Sequence, residues 1–565
     1  MRLNENGRLR ASLVAILLLC SKEGALVNSF SSRGIAHLGK LKYESRRNHR
    51  WQVSREDLKS NDVTVIDDKE ESNLYLENQV MSSSEVLPDA ELSFREKISQ
   101  KIGSIDESRM SFPEYSNGEI NRLYSNLKYE TLDGSEGSLI ATHDEGSTLA
   151  AAALIAGTTI GAGILALPTA TAPVGFIPST VGLIIAAGYM IVSGLLIAEL
   201  AINRTGQTGK PGVGLLELYR NSLGDKYAFV GSTAYLFLHF AIMVAYISQG
   251  GTNLETFLQS AGIDSFSAIP GIGQVAFTGI IGSFLYFAQK NVVEATNNIL
   301  VLGVVVSFLS IIGIGSGTAD FGTLIMADNQ HPDLLADAFP ILFLSLVYQN
   351  VVPTVVTQLE GDRNKITQAI IAGVAIPLTM FVAWNAVIIG NILAIPNIDL
   401  ANVDPIGLLQ SEGVGGEALS TLVSVFSELA VVTSLIGFVY GIIDALTDLA
   451  KLPTSGPDYD KWKPLLFTGA LLPPMALALG NPDIFYSALD YGGAFGVSTL
   501  FLVLPPVMAW KERYGEEANP LTVKPMVPFG KIPLGSCWKA AATLIVEQGA
   551  DKLGIIDFVA QRLHS

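Results

Sequence analysis

Long apolar runs alternate with short polar segments over most of the chain, from Ser147 onward. Ten of these runs approach the roughly 20 residues that an α-helix needs to cross a bilayer. Their approximate limits are residues 148–171, 175–202, 227–259, 273–289, 297–316, 336–357, 366–393, 417–447, 464–480 and 484–510. The pattern therefore predicts ten membrane-spanning helices, which we number span 1 to span 10 in chain order.

The distribution of Lys and Arg between the loops supports this count. If span 1 begins on the cytoplasmic-equivalent side, the positive residues of the loops on that side are Arg204, Lys210, Arg220, Lys226, Lys290, Arg363, Lys365, Lys451, Lys461, Lys463, Lys511 and Arg513. Neither Lys nor Arg occurs in the opposite loops, which are residues 260–272, 317–335, 394–416 and 481–483. This alternation follows the positive-inside rule and predicts that both ends of the ten-span region lie inside.

The composition agrees with a polytopic membrane protein, because 49% of the residues are apolar and only 16% are charged. The net charge of −17 comes mainly from residues 56–146, which carry 21 acidic and 8 basic residues. We expect this Ser-rich segment to be a disordered acidic tail without chemistry of its own. Cys20 and Cys537 lie at opposite ends of the chain, so they predict neither a disulfide framework nor a cysteine metal site.

Residues 1–55 have the pattern of a presequence. Three arginines within the first ten residues precede a short apolar run, residues 11–20, which is typical of a secretory signal. Residues 30–55 are rich in Ser, Arg and Lys, as in an organelle transit peptide. Together the two segments resemble the bipartite targeting of algae with secondary plastids and predict a plastid envelope or thylakoid membrane. A plain signal anchor or a cytosolic tail fits the same residues, with another endomembrane or the plasma membrane as destination.

Two of the predicted spans are interrupted by residues that break helices. Span 1 contains GTTIGAG at residues 157–163, and span 6 contains SLVYQN at residues 345–350, before Pro353. Unwound backbone at membrane depth persists only where it lines a protein cavity, and half-helix ends offer N–H groups to anions and carbonyls to cations. Each break alone also fits a small-residue packing face or a proline kink. One break lies in the first span of each set of five spans, and this matching position favours a binding site.

The run GTTIGAGILALP at residues 157–168, followed by PVGF at residues 173–176, resembles the first helix of the aromatic amino acid permease family, the bacterial tryptophan/tyrosine permeases. Residues 346–353 resemble that family's sixth helix, and VTS at residues 432–434 resembles its eighth. This family lies in the amino acid–polyamine–cation superfamily. The resemblance therefore implies an all-α polytopic protein with a leucine-transporter-like 5+5 inverted repeat and broken first and sixth helices. It covers about residues 147–511, and in residues 512–565 we expect a tail with an amphipathic or peripheral helix.

In this fold the carboxylate and amino group of the substrate bind against the two breaks. The matching positions are Gly157, Thr158, Thr159, Gly161, Ala162 and Gly163 in span 1, and Ser345, Tyr348, Gln349 and Asn350 in span 6. The third helix contributes a polar or aromatic residue at mid-depth, for which Tyr246 and Gln249 are the candidates. In sodium-coupled relatives two hydroxyls of the eighth helix bind the ion, and Thr433 and Ser434 occupy the matching positions. Glu428 is a candidate proton carrier, because acids inside a membrane usually face a cavity or a partner.

Each of these candidates also fits a role in packing or solvation. Tyr246 lies where a core aromatic residue is equally expected, and hydroxyls such as those of Thr433 and Ser434 commonly bond back to helix carbonyls. Glu428 could face a water-filled outer vestibule. Since proton-coupled members occur in the same family, the hydroxyl pair leaves the coupling ion open between H⁺ and Na⁺.

The function that we expect is cation-coupled transport of an amino acid, large and neutral or aromatic, by alternating access. A sensor with the transporter fold, or a carrier of another small amine-containing solute, is the alternative. An enzyme is disfavoured, because only His239 of six histidines lies within a span and no nucleophile elbow or Walker loop stands out. We expect no cofactor and no metal, an amino acid and the lipid bilayer as partners, and no nucleic acid. The sequence makes no prediction of the oligomeric state.

Overall fold

A computed structural model describes residues 127–130, 138–141 and 146–555, with gaps at 162, 209–212, 261, 264–268, 397, 399, 401–402, 412–415, 454–455, 482–483, 516–522 and 554. These residues belong to one compact unit, Phe94–Ser565. The predicted presequence, most of the acidic tail and Ala162 lie outside the described residues. Within residues 56–146, the strands Leu127–Glu130 and Ser138–Ala141 pair antiparallel, with Leu127 opposite Ala141.

Each predicted span corresponds to helical structure. Among the described residues, eight helices have the length and apolar character to cross a membrane, and the bent first pair adds a ninth. Span 4 is a shorter apolar helix of 16 residues. In chain order the spans are Thr148–Thr159 with Gly163–Thr171, Phe176–Thr208, Asp225–Ser260, Ile272–Phe287, Lys290–Gly315, Leu335–Ser345 with Val352–Gln358, Arg363–Leu393, Glu417–Leu449, Pro457–Gly480, and Phe485–Tyr491 continuing through Gly492–Val503 and Leu504–Tyr514.

Several helix starts are determined by local sequence. The Ser147 hydroxyl accepts a hydrogen bond from the Ala150 N–H and so caps span 1. The Asp362 carboxylate accepts two backbone N–H groups at the start of span 7. Pro353 lies in the first turn of the second half of span 6, where a missing N–H costs nothing. Local sequence therefore favours the starts of span 1, of the second half of span 6 and of span 7, independently of tertiary packing.

Packing between the two halves of the protein follows an inverted repeat. Span 1 packs along span 7, and its counterpart span 6 packs on span 2. Spans 3 and 8 contact each other, and they also contact span 10 and span 5 respectively. A short helix follows the second span of each half: Leu215–Leu223 on the inner side, which carries the Lys and Arg loops, and Pro405–Gln410 on the outer side. An inverted repeat requires such equivalent elements on opposite sides.

The C-terminal helix, Lys531–Lys552, lies along span 10. At its inner end the Lys531 ammonium lies 4.8 Å from the ring centroid of Tyr514, and at its outer end Lys552 pairs with Asp490. The helix has 22 residues and is about 33 Å long, but it is not among the described helices that are both long and apolar enough to cross a membrane. A helix is therefore present in this tail, as the sequence leads us to expect, and its amphipathic or peripheral character stays a prediction.

A buried ion pair fixes this C-terminal region to the inner end of span 2. The Arg513 guanidinium donates to both carboxylate oxygens of Glu199, at 2.7 and 2.6 Å. The Met526 N–H also donates to the Glu199 carboxylate, and the Arg513 guanidinium also donates to the Val527 carbonyl, both in the segment that leads to the C-terminal helix. A bidentate pair with further hydrogen bonds restricts the relative positions of the groups that it joins. This contact therefore holds the C-terminal region against the inner end of span 2, away from the two breaks.

Candidate functional site

Span 1 bends by 60° between its two helices. The inner half ends at Thr159, whose hydroxyl donates to the Ile155 carbonyl at 2.8 Å. The outer half begins at Gly163, and the Ile164 N–H reaches back to the Gly161 carbonyl at 3.1 Å. The bend therefore brings the carbonyl end of one helix next to the N–H end of another, which is the arrangement suited to a zwitterion.

Span 6 is interrupted over Leu346–Tyr348 and resumes through a 3₁₀ turn at Gln349–Val351. Its outer half ends at Ser345, and its inner half starts at Val352. The interruption lies in the first span of the second half of the protein, as the resemblance implies. Both breaks expected from the sequence are therefore present.

The two breaks are in direct contact. The Ser345 hydroxyl lies within hydrogen-bond distance of two carbonyl oxygens, 3.1 Å from that of Gly163 and 2.8 Å from that of Ile341. A Cβ atom at Gly163 would lie 3.0 Å from the Ser345 Cα. The backbones approach so closely here that only glycine fits without displacing span 6.

Spans 3 and 8 face the break of span 1. A Cβ atom at Gly161 would lie 3.2 Å from the Ser434 Oγ and 3.7 Å from the Tyr246 hydroxyl oxygen. The Tyr246 ring packs edge-on against Phe438, with ring centroids 5.6 Å apart. Gly161, Tyr246 and Ser434, which the sequence assigns to three separate spans, therefore meet at one point. We call the region formed by Gly161, Gly163, Tyr246, Ser345 and Ser434 the junction.

Tyr348 and Gln349 are directed toward span 2 instead. The Tyr348 hydroxyl donates to the Met190 carbonyl at 2.8 Å, and the Gln349 amide nitrogen lies 3.3 Å from the Met190 sulfur. The Gln349 side-chain oxygen accepts the Tyr348 N–H at 3.0 Å. Gly194 provides the space, since a Cβ atom there would overlap the Tyr348 hydroxyl. These two side chains attach the break of span 6 to span 2.

The remaining candidates in spans 1 and 6 differ in burial and in their hydrogen-bond partners. Gly157 and Thr158 lie on the exposed face of the inner half of span 1, whereas Thr159 is buried. The Thr158 hydroxyl donates to the Leu154 carbonyl at 2.8 Å. Asn350 has a buried side-chain oxygen without a hydrogen-bond partner among the described residues, so its oxygen is available to a ligand or a water molecule.

The candidate coupling residues of span 8 fall into two groups along the helix. Near the junction, the Thr433 hydroxyl donates to the Leu429 carbonyl at 2.8 Å, as hydroxyls within helices often do. Glu428 lies six residues before Ser434, about 9 Å toward the outer side. Glu428 therefore does not share one ion site with the Thr433–Ser434 pair.

Glu428 belongs to a separate polar network with span 3. The Asn253 amide nitrogen donates to the Glu428 carboxylate at 3.2 Å and to the Ser427 hydroxyl at 3.0 Å. The Asn253 oxygen accepts a hydrogen bond from the Gln249 amide at 2.9 Å. Gln249, expected at the substrate, is thus the inner member of a chain that ends at Glu428.

Sequence reasoning missed two amides, one partly buried and one fully buried. One is Asn253, described above. The other is Asn385 in span 7, which is 1% exposed and whose side-chain oxygen and nitrogen both have no hydrogen-bond partner in the described part of the chain. Asparagines within apolar runs were the available signal, because buried amides normally find partners. Among the described residues, no group of three or more His, Cys, Asp or Glu side chains could hold a metal ion.

Comparison with known proteins agrees with this architecture. The tryptophan/tyrosine permease family model matches residues 144–531. The chain is 30% identical to the tyrosine-specific transport system 2 of Haemophilus influenzae, over 66% of this chain and 90% of that protein. It is 28% identical to the tryptophan-specific transport protein of the same organism, over 65% and 87%. A glutamine transporter 2 of Aliivibrio fischeri is 23% identical, over 70% and 98%.

Among solved structures, the crystal structure of MhsT in complex with L-phenylalanine has a TM-score of 0.50 and 14% identity to this chain. The match covers 72% of this chain and 99% of MhsT, and it supports the leucine-transporter-like fold. The family model covers more than half of the chain and includes both breaks and all ten spans. The chain therefore belongs to the tryptophan/tyrosine permease family, which makes it a multi-pass amino acid transporter and not an enzyme.

Proposed function

We propose that this protein moves a large neutral or aromatic amino acid across its membrane by cation-coupled alternating access. The observation that carries the proposal is the junction, where the backbone of span 1 meets Ser345, Tyr246 and Ser434. Side chains are small on the span 1 side, so a ligand can approach the backbone. Alternating exposure of this midplane region to the two sides would then produce transport.

The chemistry of the junction suits an α-amino acid. The N–H groups that begin the outer half of span 1 favour a carboxylate, because the positive end of the helix dipole lies there. The carbonyls that end the inner half at Thr159 favour an ammonium group or a coupling cation. Both charged groups of the substrate would be bound by backbone, which leaves side-chain selectivity to the surrounding walls.

An aromatic side chain is favoured by the wall formed by Tyr246 and Phe438. Edge-to-face contacts between aromatic rings stabilise by about 0.5–1.5 kcal/mol beyond burial alone. The relatives named for tyrosine and tryptophan support the same class of substrate. The relative named as a glutamine transporter makes glutamine the informative competitor.

Cation coupling has two candidate sites, one at Ser434 with Thr433 and one at Glu428. Hydroxyl and carbonyl oxygens near Ser434 would suit Na⁺, whereas Glu428 would carry a proton. The two sites predict different dependences of uptake on the external solution. A sodium gradient drives uptake in the first case, and a pH gradient drives it in the second.

The direct test is uptake by the purified protein in liposomes. Labelled tryptophan, tyrosine and glutamine are offered under a sodium gradient, a pH gradient or neither. We expect accumulation of an aromatic amino acid under one gradient. Binding without accumulation under any gradient would show a sensor and overturn transport, whereas preferential accumulation of glutamine would overturn only the substrate class.

Replacement of Gly161 by Leu tests the location of the site. The added side chain would enter the space next to Ser434 and Tyr246, so we expect uptake to fall at least 100-fold. Gly188→Leu in span 2 is the matched control, because a Cβ atom at Gly188 meets nothing within 4 Å. Normal uptake by a properly inserted Gly161→Leu protein would mean that the site lies elsewhere.

A plastid location is part of the proposal and depends on residues 1–55. A fluorescent fusion to these residues, expressed in an alga with secondary plastids, should label the plastid. A fusion that labels the plasma membrane would overturn the location and leave the transport activity untouched.

A further inference from the structure

We propose that Asn253 transmits the protonation state of Glu428 to the junction, through Gln249. The three side chains form an uninterrupted chain of hydrogen bonds between spans 8 and 3. Asn253 would act as a positioning residue, since it lies between the proton-carrying group and the substrate region. This inference rests on the proposed function and names the path by which a proton would be coupled to it.

The orientation of the Asn253 amide is fixed by its partners. Its nitrogen donates to two acceptors, the Glu428 carboxylate at 3.2 Å and the Ser427 hydroxyl at 3.0 Å. Its oxygen is occupied by the Gln249 amide nitrogen at 2.9 Å. The arrangement requires Glu428 to present an acceptor, as an ionised carboxylate does.

The chain of hydrogen bonds leads toward the junction. Spans 3 and 8 run antiparallel, because Tyr246 contacts Phe438 while Asn253, further out along span 3, contacts Ser427. Gln249 lies between these two levels, one helical turn from Tyr246. The Tyr246 hydroxyl oxygen in turn would lie 3.7 Å from a Cβ atom placed on Gly161. A change at Glu428 therefore has a short path to the bend of span 1.

Protonation of Glu428 changes the hydrogen bonds that Glu428, Asn253 and Gln249 can form with one another. When the proton binds Oε2, the carboxylate acceptor becomes an O–H donor that faces the Asn253 amide nitrogen, another donor. Rotation of the Asn253 amide by 180° restores the bond, because the amide oxygen then accepts from the carboxyl group. The same rotation removes the acceptor of Gln249, which is freed to bond at the junction. The proton comes from outer water, and its loss to the other side restores the first arrangement.

Other titratable groups on the elements around span 8 have separate positions or partners. Glu255 of span 3 accepts the Gly273 N–H at 2.9 Å, and Asp404 caps the outer short helix. His239 bonds to the Tyr235 carbonyl and stacks on the Tyr235 ring, further in along span 3. The inner ends of spans 5, 8 and 9 carry Lys290, Glu294, Asp444, Asp448, Asp458, Asp460, Lys461 and Lys463. At the level of Glu428, span 5 contributes Gly303 and Phe308, which contact Leu429 and Phe426.

The experiment measures uptake of the best labelled amino acid in liposomes from pH 5 to 9, together with substrate affinity at each pH. Wild-type uptake should decline as the external pH rises. Asn253→Ala removes a donor to the ionised carboxylate and so favours its protonated form. The midpoint of the decline should therefore move to higher pH by about one unit. The Glu428→Gln protein should bind substrate with an affinity that does not change with pH. It should not accumulate substrate.

Two further variants separate this path from a loss of folding. Gln249→Ala leaves the Asn253–Glu428 contact intact, so the midpoint should stay within about 0.2 unit while the accumulation ratio falls. Thr256→Ala is the control on span 3, because within the described part of the chain its hydroxyl bonds only to the Thr252 carbonyl of its own helix. It should behave as wild type.

The inference is overturned if uptake by the Asn253→Ala protein has the same pH profile as wild type while the substrate affinity of Glu428→Gln no longer depends on pH. A wild-type protein that accumulates substrate with a sodium gradient and equally at every pH overturns it as well, yet leaves transport established. Absence of accumulation under every gradient would instead refute the proposed function itself.

Discussion

The break in span 1 is lined by backbone, whereas the break in span 6 is filled by its own side chains. Gly161 and Gly163 leave the first break bare, and spans 3 and 6 approach it closely. At the second break, Tyr348 and Gln349 are buried against Met190 of span 2. Under the proposed function this difference is a division of roles: span 1 would offer backbone groups to the substrate, and Tyr348 and Gln349 would hold the break of span 6 in position.

The largest effect that tests this division is expected at Gly163. Gly163→Ala places a Cβ atom 3.0 Å from the Ser345 Cα, so one of the two breaks must move. We expect uptake to fall by at least tenfold, measured in liposomes at matched protein levels. Gly188→Ala in span 2 is the control, because a Cβ atom there meets nothing within 4 Å. Equal uptake by the two variants would contradict a close-packed junction.

The second prediction compares two tyrosines. Tyr348→Phe removes one hydrogen bond to the Met190 carbonyl, which lies within the helix of span 2, so the stability of the protein should fall by about 1 kcal/mol with unchanged substrate affinity. Tyr246→Phe should lower the substrate affinity and leave the stability unchanged, because the Tyr246 hydroxyl lies close to Gly161. Thermal unfolding in detergent and substrate binding measure the two quantities. A large loss of affinity in Tyr348→Phe would mean that the second break also contacts the substrate.

The fold could be predicted largely from the sequence because the features that indicate it can be read along the chain without knowledge of tertiary contacts. Hydrophobic length gives the spans, the Lys and Arg alternation gives their orientation, and Gly157–Gly163 with Ser345–Asn350 gives the breaks. For the C-terminal helix, which contains Lys539 and Glu547, the sequence predicts an amphipathic or peripheral helix but not the span that it packs against. Its place along span 10 depends on tertiary contacts at Tyr514 and Asp490.

The site was less predictable, because the direction of a side chain depends on which helix packs against it. Tyr348 and Gln349 occupy positions that match the family's binding motif, yet their partner is Met190, some 158 residues earlier in the chain. Asn253 is one polar residue among several in span 3, and only the packing of span 8 gives it Glu428 as a partner. Sequence distance conceals both contacts.

The smallest effect is expected at Ser345, where the two breaks share a hydrogen bond. Ser345→Ala removes the hydroxyl that lies 3.1 Å from the Gly163 carbonyl and 2.8 Å from the Ile341 carbonyl. Both carbonyls belong to helices, Gly163–Thr171 and Leu335–Ser345, so the loss is that of one hydroxyl hydrogen bond, worth about 1 kcal/mol. We expect a two- to fivefold decrease in the rate of uptake, on the scale set by that energy. Ser345→Thr, which keeps the hydroxyl, should retain more activity than Ser345→Ala; the opposite order would show that space at this position matters more than the hydrogen bond between the two breaks.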